Sequence, residues 1–585
     1  MKTLKKSMGI ILALLMTVLF TTSAFAAEVK ITERQYLAYQ IFSGTQDDAV
    51  EGEDAPLCDI EWGAGIESTS FLPRIKAIET GEFADCESAD DVAKVLTALS
   101  ETINNNDVND PAAVSAKKVV DEFARLADIC KKPGEGLDLG IYANVVDGTA
   151  VDTTGATLES KLAPGYYLVV DNSNTSEQDT AKNLSLLQMT KNGKFVIGNK
   201  TDIPMVEKKV WENSYTAADL APITNYQLEQ GYNDIADHDI GENIPFILIG
   251  TMPSTLKDYD TYTYIFHDTM SKGLTYGNNA VVYVDNGNGL VVIPDSKYDI
   301  ESKANAVTEG TDLTISFADV KLVEGINENS KIVVKYTAML NSEAEIGLEG
   351  NTNEVYLEYS NNPNYDGSGV PGDGDDDSDS NDTGKSKVDR VIVFTYQLDV
   401  SKVDPDQKVL PGAIFKLKNN DTNMFYVFDE ATKAISWTSV EADAYEFTST
   451  GAEYFSAVGL DEGSYTLIET KAPQGYNKIA PITFEIEATT NNATTTEAQN
   501  WITYSDASTA LTKLVIKLDN HTNASALNEG VGDTKSGSVK LKVVNNPGSL
   551  LPETGGMGTV VIYTIGAILA IGSVVLLVAK KRMNK

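Results

Sequence analysis

The sequence predicts a mainly β protein: tandem β-sandwiches in an elongated array, preceded by a mixed β domain that carries helical insertions. Short β-branched and aromatic runs, largely alternating and separated by Gly, Asn, Asp and Pro, fill residues 201–362 and resume at 388–548. Helical periodicity is confined to the first part of the chain. At 585 residues the chain is long enough for several domains that each bury a core.

The first segment, residues 1–26, reads as a secretory signal peptide. Lys2, Lys5 and Lys6 precede an apolar stretch, and Ala24-Phe25-Ala26 supplies a small-x-small cleavage site. Near the other end, within 549–585, an uncharged run over 559–579 is long enough to cross a bilayer. Lys580, Lys581 and Arg582 follow it and assign that end to the cytoplasm. The chain between the two apolar segments is therefore expected outside the membrane.

Residues 27–200 form the mixed domain. "DDVAKVLTALSETI" (90–103) and "PAAVSAKKVVDEFARLAD" (111–128) repeat apolar residues at helical spacing. "GYYLVVDNS" (165–173) and "KFVIGN" (194–199) read as strands. Residues 201–362 then read as an immunoglobulin-like sandwich, with runs such as "IPFILIGTMP", "YTYIFHDTM", "KIVVKYTAML" and "NEVYLEYSN". An acidic, Gly- and Ser-rich stretch, 363–387, has scarcely an apolar residue and reads as a flexible linker. The second sandwich is expected over 388–548, opening with "VIVFTYQLDVSKV".

A formal charge of −39 argues against nucleic acid and anionic membrane surfaces as partners. Cys58, Cys86 and Cys130 are too few for a disulfide framework in an exported chain of this size. No phosphate-binding glycine loop or nucleophile elbow is present, which leaves conventional catalysis without a constellation. No metal set or cofactor is expected: "DHD" (237–239) has no second His or Cys beside it.

Strand parity exposes a different chemistry. Side chains alternate with period two, so Lys208 shares a face with Val206 and Val210, and Asp268 with Tyr262, Tyr264 and Phe266. Asn353 likewise falls in line with Val355, Leu357 and Tyr359. In the second sandwich Lys402 aligns with Leu398 and Val400, Glu469 with Tyr465 and Leu467, and Asn545 with Leu541 and Val543. Each sandwich thus offers a first-strand amine, a central acid and a last-strand amide, all facing inward. Burial drives a lone amine and a lone carboxyl toward their neutral forms. A neutral lysine is a nucleophile, a neutral carboxyl can shuttle protons, and an asparagine amide can lose ammonia. The product would be a Lys–Asn isopeptide bond. Parity alone leaves open the alternative of ordinary charges at strand ends.

"SLLPETGG", followed by a span and a basic tail, resembles the cell-wall sorting signal of Gram-positive surface proteins. The resemblance implies that a sortase recognises Leu551, Pro552, Glu553, Thr554 and Gly555 and cuts between Thr554 and Gly555. It would pass the threonyl carboxyl to an amine of the peptidoglycan or of another subunit. Residues 208–363 are similar to the isopeptide-forming domain of fimbrial proteins. Residues 398–548, with "YTLIETKAPQGY", resemble the prealbumin-like B-type repeat of collagen-binding adhesins and pilins. The chain is thereby identified as resembling a sortase-assembled major pilin. The resemblance assigns Lys208 and Asn353 to one crosslink, with Asp268 as proton shuttle. It assigns Lys402 and Asn545 to the other, with Glu469 as shuttle. Lys209 competes with Lys208, and parity favours Lys208. In place of the pilin motif the domain junction reads "VIGNKTDIPMVEKK", where Lys200 is the candidate acceptor for the next subunit.

These features imply a secreted, wall-anchored backbone subunit of a pilus, a substrate of sortase rather than an enzyme, that supports adhesion. Its expected partners are sortase, further copies of itself in a covalent polymer, and peptidoglycan. The alternative is a monomeric wall-anchored adhesin that binds a host-surface protein or glycan.

Overall fold

The computed structural model describes residues 34–46, 57–107, 110–142, 144–146, 149–151, 162–171, 184–189, 203–213, 231–361, 383–491, 509–518, 522–526, 533–549 and 558–583. The signal peptide, "KFVIGN", Lys200, most of the acidic linker and the LPETG residues 551–555 lie outside the described residues.

The N-terminal region is mixed as expected. Its sheet runs in the order Leu57–Trp62, Arg34–Gln46, Gly165–Asp171, Leu184–Met189, and Leu137–Tyr142 also pairs with Arg34–Gln46. Against it pack α1 (Ser68–Lys76), α2 (Ala89–Asn105) and α3 (Pro111–Ile129). Ser88 and Asp91 form a capping box that starts α2, and Asp110 caps α3 ahead of Pro111. Phe42, Phe71, Phe83 and Phe123 fill the core between sheet and helices. The uncharged run near the C-terminus forms α4 (Gly558–Met583), long and apolar enough to cross a membrane.

Two seven-stranded sheets build the first sandwich. One runs Ile235–Asp237, Asp389–Phe394, Asn351–Ser360, Tyr264–Met270, Thr311–Phe317, Asp299–Ala304. The other runs Leu290–Val292, Val281–Asp285, Lys331–Leu340, Asn243–Thr251, Val206–Trp211, Tyr232–Asn233, and Leu274–Tyr276 also pairs with Lys331–Leu340. The core side chains alternate along the strands as the pattern requires; Tyr264–Met270 is buried at every second position.

The expected boundary at 388 is displaced. "VIVFTYQLDVSKV" is two strands, not one. Asp389–Phe394 pairs with Asn351–Ser360 and lies parallel to Ile235–Asp237 in the first sandwich, while Tyr396–Val403 belongs to the second. Val391, Ile392, Val393 and Phe394 are all fully buried. A continuous apolar run suits a strand covered on both faces and gives no parity break to mark a change of sheet. The expected linker is also shorter at its C-terminal end. Thr383–Lys385 pairs with Asn351–Ser360, and the Ser386 hydroxyl accepts the Leu357 N–H at 2.9 Å.

In the second sandwich a four-stranded sheet, in the order Phe455–Leu460, Tyr396–Val403, Ser538–Val544, Ala524–Ala526, faces a seven-stranded one. The larger sheet contains Ile414–Asn419, Gly463–Lys471, Ile482–Thr490 and Leu511–Leu518. Tyr396–Val403 and Ser538–Val544 run parallel, so the first and last principal strands of this sandwich are neighbours.

Candidate functional site: two buried amine–acid–amide clusters

In the first sandwich Lys208 stands on the Val206–Trp211 strand of one sheet. Asp268 and Asn353 stand on adjacent strands of the other. The register sets Asp268 opposite Val355 and Met270 opposite Asn353, so the acid and the amide are diagonal neighbours on one face. All three side chains are at most 1% exposed. Lys208 Nζ donates to Asp268 Oδ2 and, at 3.0 Å, to the Tyr336 hydroxyl. Tyr336 donates to Asp268 Oδ2 at 2.9 Å, and Asn353 Nδ2 donates to the same hydroxyl at 2.8 Å. The lysine side chain lies against Phe246 and Tyr336, with Nζ 5.7 and 5.5 Å from the ring centroids.

Burial dominates the electrostatics. It pulls the Lys208 amine below the ordinary lysine range, against the upward pull of Asp268. It pushes the Asp268 carboxyl above the usual carboxylate range, against the downward pull of Lys208. Both shifts favour a neutral amine beside a neutral acid. Asp268 Oδ1 and Asn353 Oδ1 are buried without a hydrogen-bond partner among the described residues. A proton on the Asp268 carboxyl would have an amide oxygen to polarise.

Lys209 faces the other way. Its Nζ pairs with Asp234 at 2.5 Å and Glu207 at 3.0 Å. Burial would lower its pKa, but the surrounding carboxylates outweigh that and raise it, holding the ammonium. The structure therefore brings Lys208, and not Lys209, to Asp268 and Asn353.

The second cluster uses a different geometry. Lys402 sits opposite Val543 in the parallel pair, two residues from Asn545 along that strand direction. Glu469 reaches in from the facing sheet. Asn545 Nδ2 donates to Glu469 Oε1 at 2.9 Å, to Oε2 at 3.2 Å and to the Asn477 carbonyl at 3.0 Å. Glu469 Oε2 also accepts the Ile479 N–H at 2.8 Å. Lys402 Nζ makes only long contacts to the Val403 and Val543 carbonyls, at 3.2 and 3.4 Å. Burial lowers its pKa to about 8, with Glu469 opposing. Asn545 Oδ1, like Asn353 Oδ1, is buried and unpartnered among the described residues.

Tyr336 is the site residue that sequence reading passed over. It lies in "KIVVKYTAML" with inward parity, yet nothing in the sequence says which opposing side chain its hydroxyl meets. Around the "DHD" segment, His238, Glu242 and Asp461 bring one ligand-type atom each within 4.8 Å of one another. His238 Nε2 donates to the Trp211 carbonyl at 2.8 Å. The Asn213 amide nitrogen fills the space between His238 Nδ1, Glu242 and Asp461, at 3.2, 3.2 and 2.7 Å.

Residues 240–363 match the family described as Gram-positive pilin backbone subunit 2, Cna-B-like domain, and residues 396–500 match the SpaA prealbumin-like fold domain. The trypsin-resistant surface T6 protein of Streptococcus pyogenes serotype M6 is 28% identical over 390 residues, covering 59% of this chain. The chain spans 65% of that relative's length. Among solved structures, the group B streptococcus pilus 2b backbone protein is 22% identical, covering 54% of this chain and 96% of its own, with a TM-score of 0.35. The T6 backbone pilin of S. pyogenes serotype M6 is 19% identical, covering 88% of this chain and 96% of its own, with a TM-score of 0.46. On the two domain matches, this chain carries a Gram-positive pilin backbone domain followed by a SpaA-type prealbumin-like domain.

Proposed function

We propose that the chain is the backbone subunit of a sortase-assembled pilus, polymerised covalently, anchored to the Gram-positive cell wall and supporting adhesion. Within this reading each sandwich closes itself with a Lys–Asn amide: Lys208 to Asn353 with Asp268 as shuttle, and Lys402 to Asn545 with Glu469. The uncharged amine attacks the side-chain amide carbon while the carboxyl protonates the amide oxygen. The carboxylate then takes a proton from the attacking nitrogen and delivers it to Nδ2, and it recovers the first proton from the oxygen as the carbonyl re-forms. A C–N bond forms, the old C–N bond breaks, and ammonia leaves.

The observation that carries this reading is the burial, in each sandwich, of an amine, an acid and an amide whose carbonyl oxygen has no partner among the described residues. In an ordinary core such groups would cost stability without return. Closing loops of about 145 residues would stabilise each sandwich by about 5 kcal/mol in the chain-entropy account. It would also carry tension through covalent bonds. The sorting motif ending in Thr554 and Gly555 supplies the donor end, and Lys200 is the proposed acceptor.

Intact-mass analysis of the full chain tests the clamps: one ammonia is missing for each crosslink, and branched peptides join Lys208 to Asn353 and Lys402 to Asn545. A full-mass folded chain would refute them. A denaturing gel of wall extract tests the polymer. A ladder that disappears on Lys200→Ala is the expected result, and a single band would favour the monomeric adhesin.

A further inference from the structure

The two sandwiches meet at a surface lined with carboxyl groups. From the first come Glu212, Asp237, Asp239 and Glu242; from the second, Asp461 and Glu462 at the turn after Phe455–Leu460. Asp237, Asp239 and Asp461 are at most 6% exposed. The hydrogen bonds cross the joint. Tyr396 donates to Asp237 Oδ2 at 2.6 Å, and the Asp461 N–H donates to Asp239 Oδ1 at 3.0 Å. Asn419 and Tyr465 reach Asp239 at 3.4 Å, and Asn213 reaches Asp461 at 2.7 Å. The Ile240 N–H donates to the Gly459 carbonyl at 3.0 Å. Among the described residues no lysine or arginine forms an ion pair with Asp237, Asp239 or Asp461, and His238 is bonded to Glu242 at 2.9 Å.

Asp237, Asp239 and Asp461 are therefore buried together where the two sandwiches meet, with phenol, amide and backbone donors around them. Carboxyl groups buried together without a cation cannot all ionise, so such a cluster retains protons. We propose that the contact between the two sandwiches is a proton-loaded joint, closed while the buried carboxyl groups Asp237, Asp239 and Asp461 hold protons and loosened as those protons are released to solvent with rising pH.

The surroundings agree on the direction. Burial, then Glu212 and Glu462, push Asp237 up to about 8. Burial, then Glu242, push Asp239 up to about 7. Burial, then Asp237 and Asp239, raise Asp461, and burial raises Glu462, with Glu212 and Glu487 adding to it. Burial alone would lower His238, but Glu242 and Glu212 outweigh it and raise it. Every shifted acid and the histidine therefore bind protons more tightly in the closed joint than in the open one. For such groups the closed state is favoured at low pH and loses that advantage as pH rises through the closed-state values. The facing tyrosines, Tyr396, Tyr426 and Tyr465, stay protonated across this window because burial raises each of them.

The joint uses none of the groups of the two proposed clamps and stands without them. Hydrogen exchange on the full chain in mild detergent tests it, with protection corrected for the intrinsic pH dependence. Amides 238–241 and 459–462 report the joint, and those of Asn351–Ser360 serve as reference. Relative protection at the joint is expected to fall by about tenfold per pH unit for each linked proton between about pH 5 and pH 8, and to level off above the closed-state values. In Asp237→Asn, and separately in Asp461→Asn, the dependence should flatten, because a neutral amide keeps a donor at that position. PH-independent protection in the unsubstituted chain overturns the proposal on its own, whether or not the variants fold. So does a chelator that opens the joint at pH 6, since a cation would then be holding it.

Discussion

Lys208 and Asn353, on opposite sheets of the first sandwich, both donate to the Tyr336 hydroxyl, at 3.0 and 2.8 Å. One phenol thus holds the proposed nucleophile and the proposed electrophile in place, while its own proton goes to Asp268. The ring is fixed by stacking on Phe246, at 5.5 Å between centroids and 14° between planes.

Tyr336→Phe should keep the ring and lose the bridge. Crosslink formation in the first sandwich is expected to slow by about 100-fold, the low end of the range for losing a positioned proton-transfer group. Time-resolved mass of newly synthesised chain measures it. An unchanged rate would leave Tyr336 a packing residue only.

Asp268→Ala should leave the first sandwich at full mass while the second still loses ammonia. Losing about 5 kcal/mol lowers the melting temperature of that sandwich by about 10–20 °C. Glu469→Ala should give the mirror result. Calorimetry that shows both transitions moving together would contradict independent clamps.

Lys208→Ala and Lys209→Ala should separate cleanly. The first abolishes the crosslink between the Val206–Trp211 and Asn351–Ser360 strands. The second preserves it and removes only the pairing with Asp234 and Glu207. Branched-peptide mapping that finds Lys209 joined to Asn353 would reverse the parity argument.

The Lys402 value of about 8 sets a pH dependence for the second clamp. A lysine depressed by burial reacts as the free amine, so below about pH 8 the rate should rise about tenfold per unit and level off above it. Before the bond forms, the folded sandwich binds this proton less tightly than the unfolded chain does. Its stability therefore rises with pH between the folded and unfolded values. Cell-free synthesis at pH 6, 7 and 8, followed by mass, gives the rate. A flat profile would show that Lys402 deprotonation is not limiting.

Much of both clusters was legible because burial on a strand obeys parity. Asp268 interrupts an apolar face, with Phe266 and Met270 buried on either side of it, and Glu469 ends one, after Tyr465 and Leu467. The helices over 90–103 and 111–128 were legible for the same kind of reason, a period that only one secondary structure satisfies. Where the period vanished, the reading failed. Val391 to Phe394 are apolar at every position, so the strand that completes the first sandwich read as the opening of the second. The linker was carried too far because "TGKSK" has no pattern, and its pairing depends on the free edge of Asn351–Ser360.

The sequence by itself determined which residue types face inward on each strand, where the helices start and which ends of the chain are apolar. These follow from local periodicity and capping chemistry. Only the tertiary structure decided that Tyr336 bridges the first cluster, that Lys402 pairs with Val543 two residues before Asn545, and that Asp237 and Asp239 meet Tyr396 and Asp461 across the joint. Those contacts join residues far apart in the chain. Their identity depends on which sheets face one another and in what register, and no local pattern encodes that.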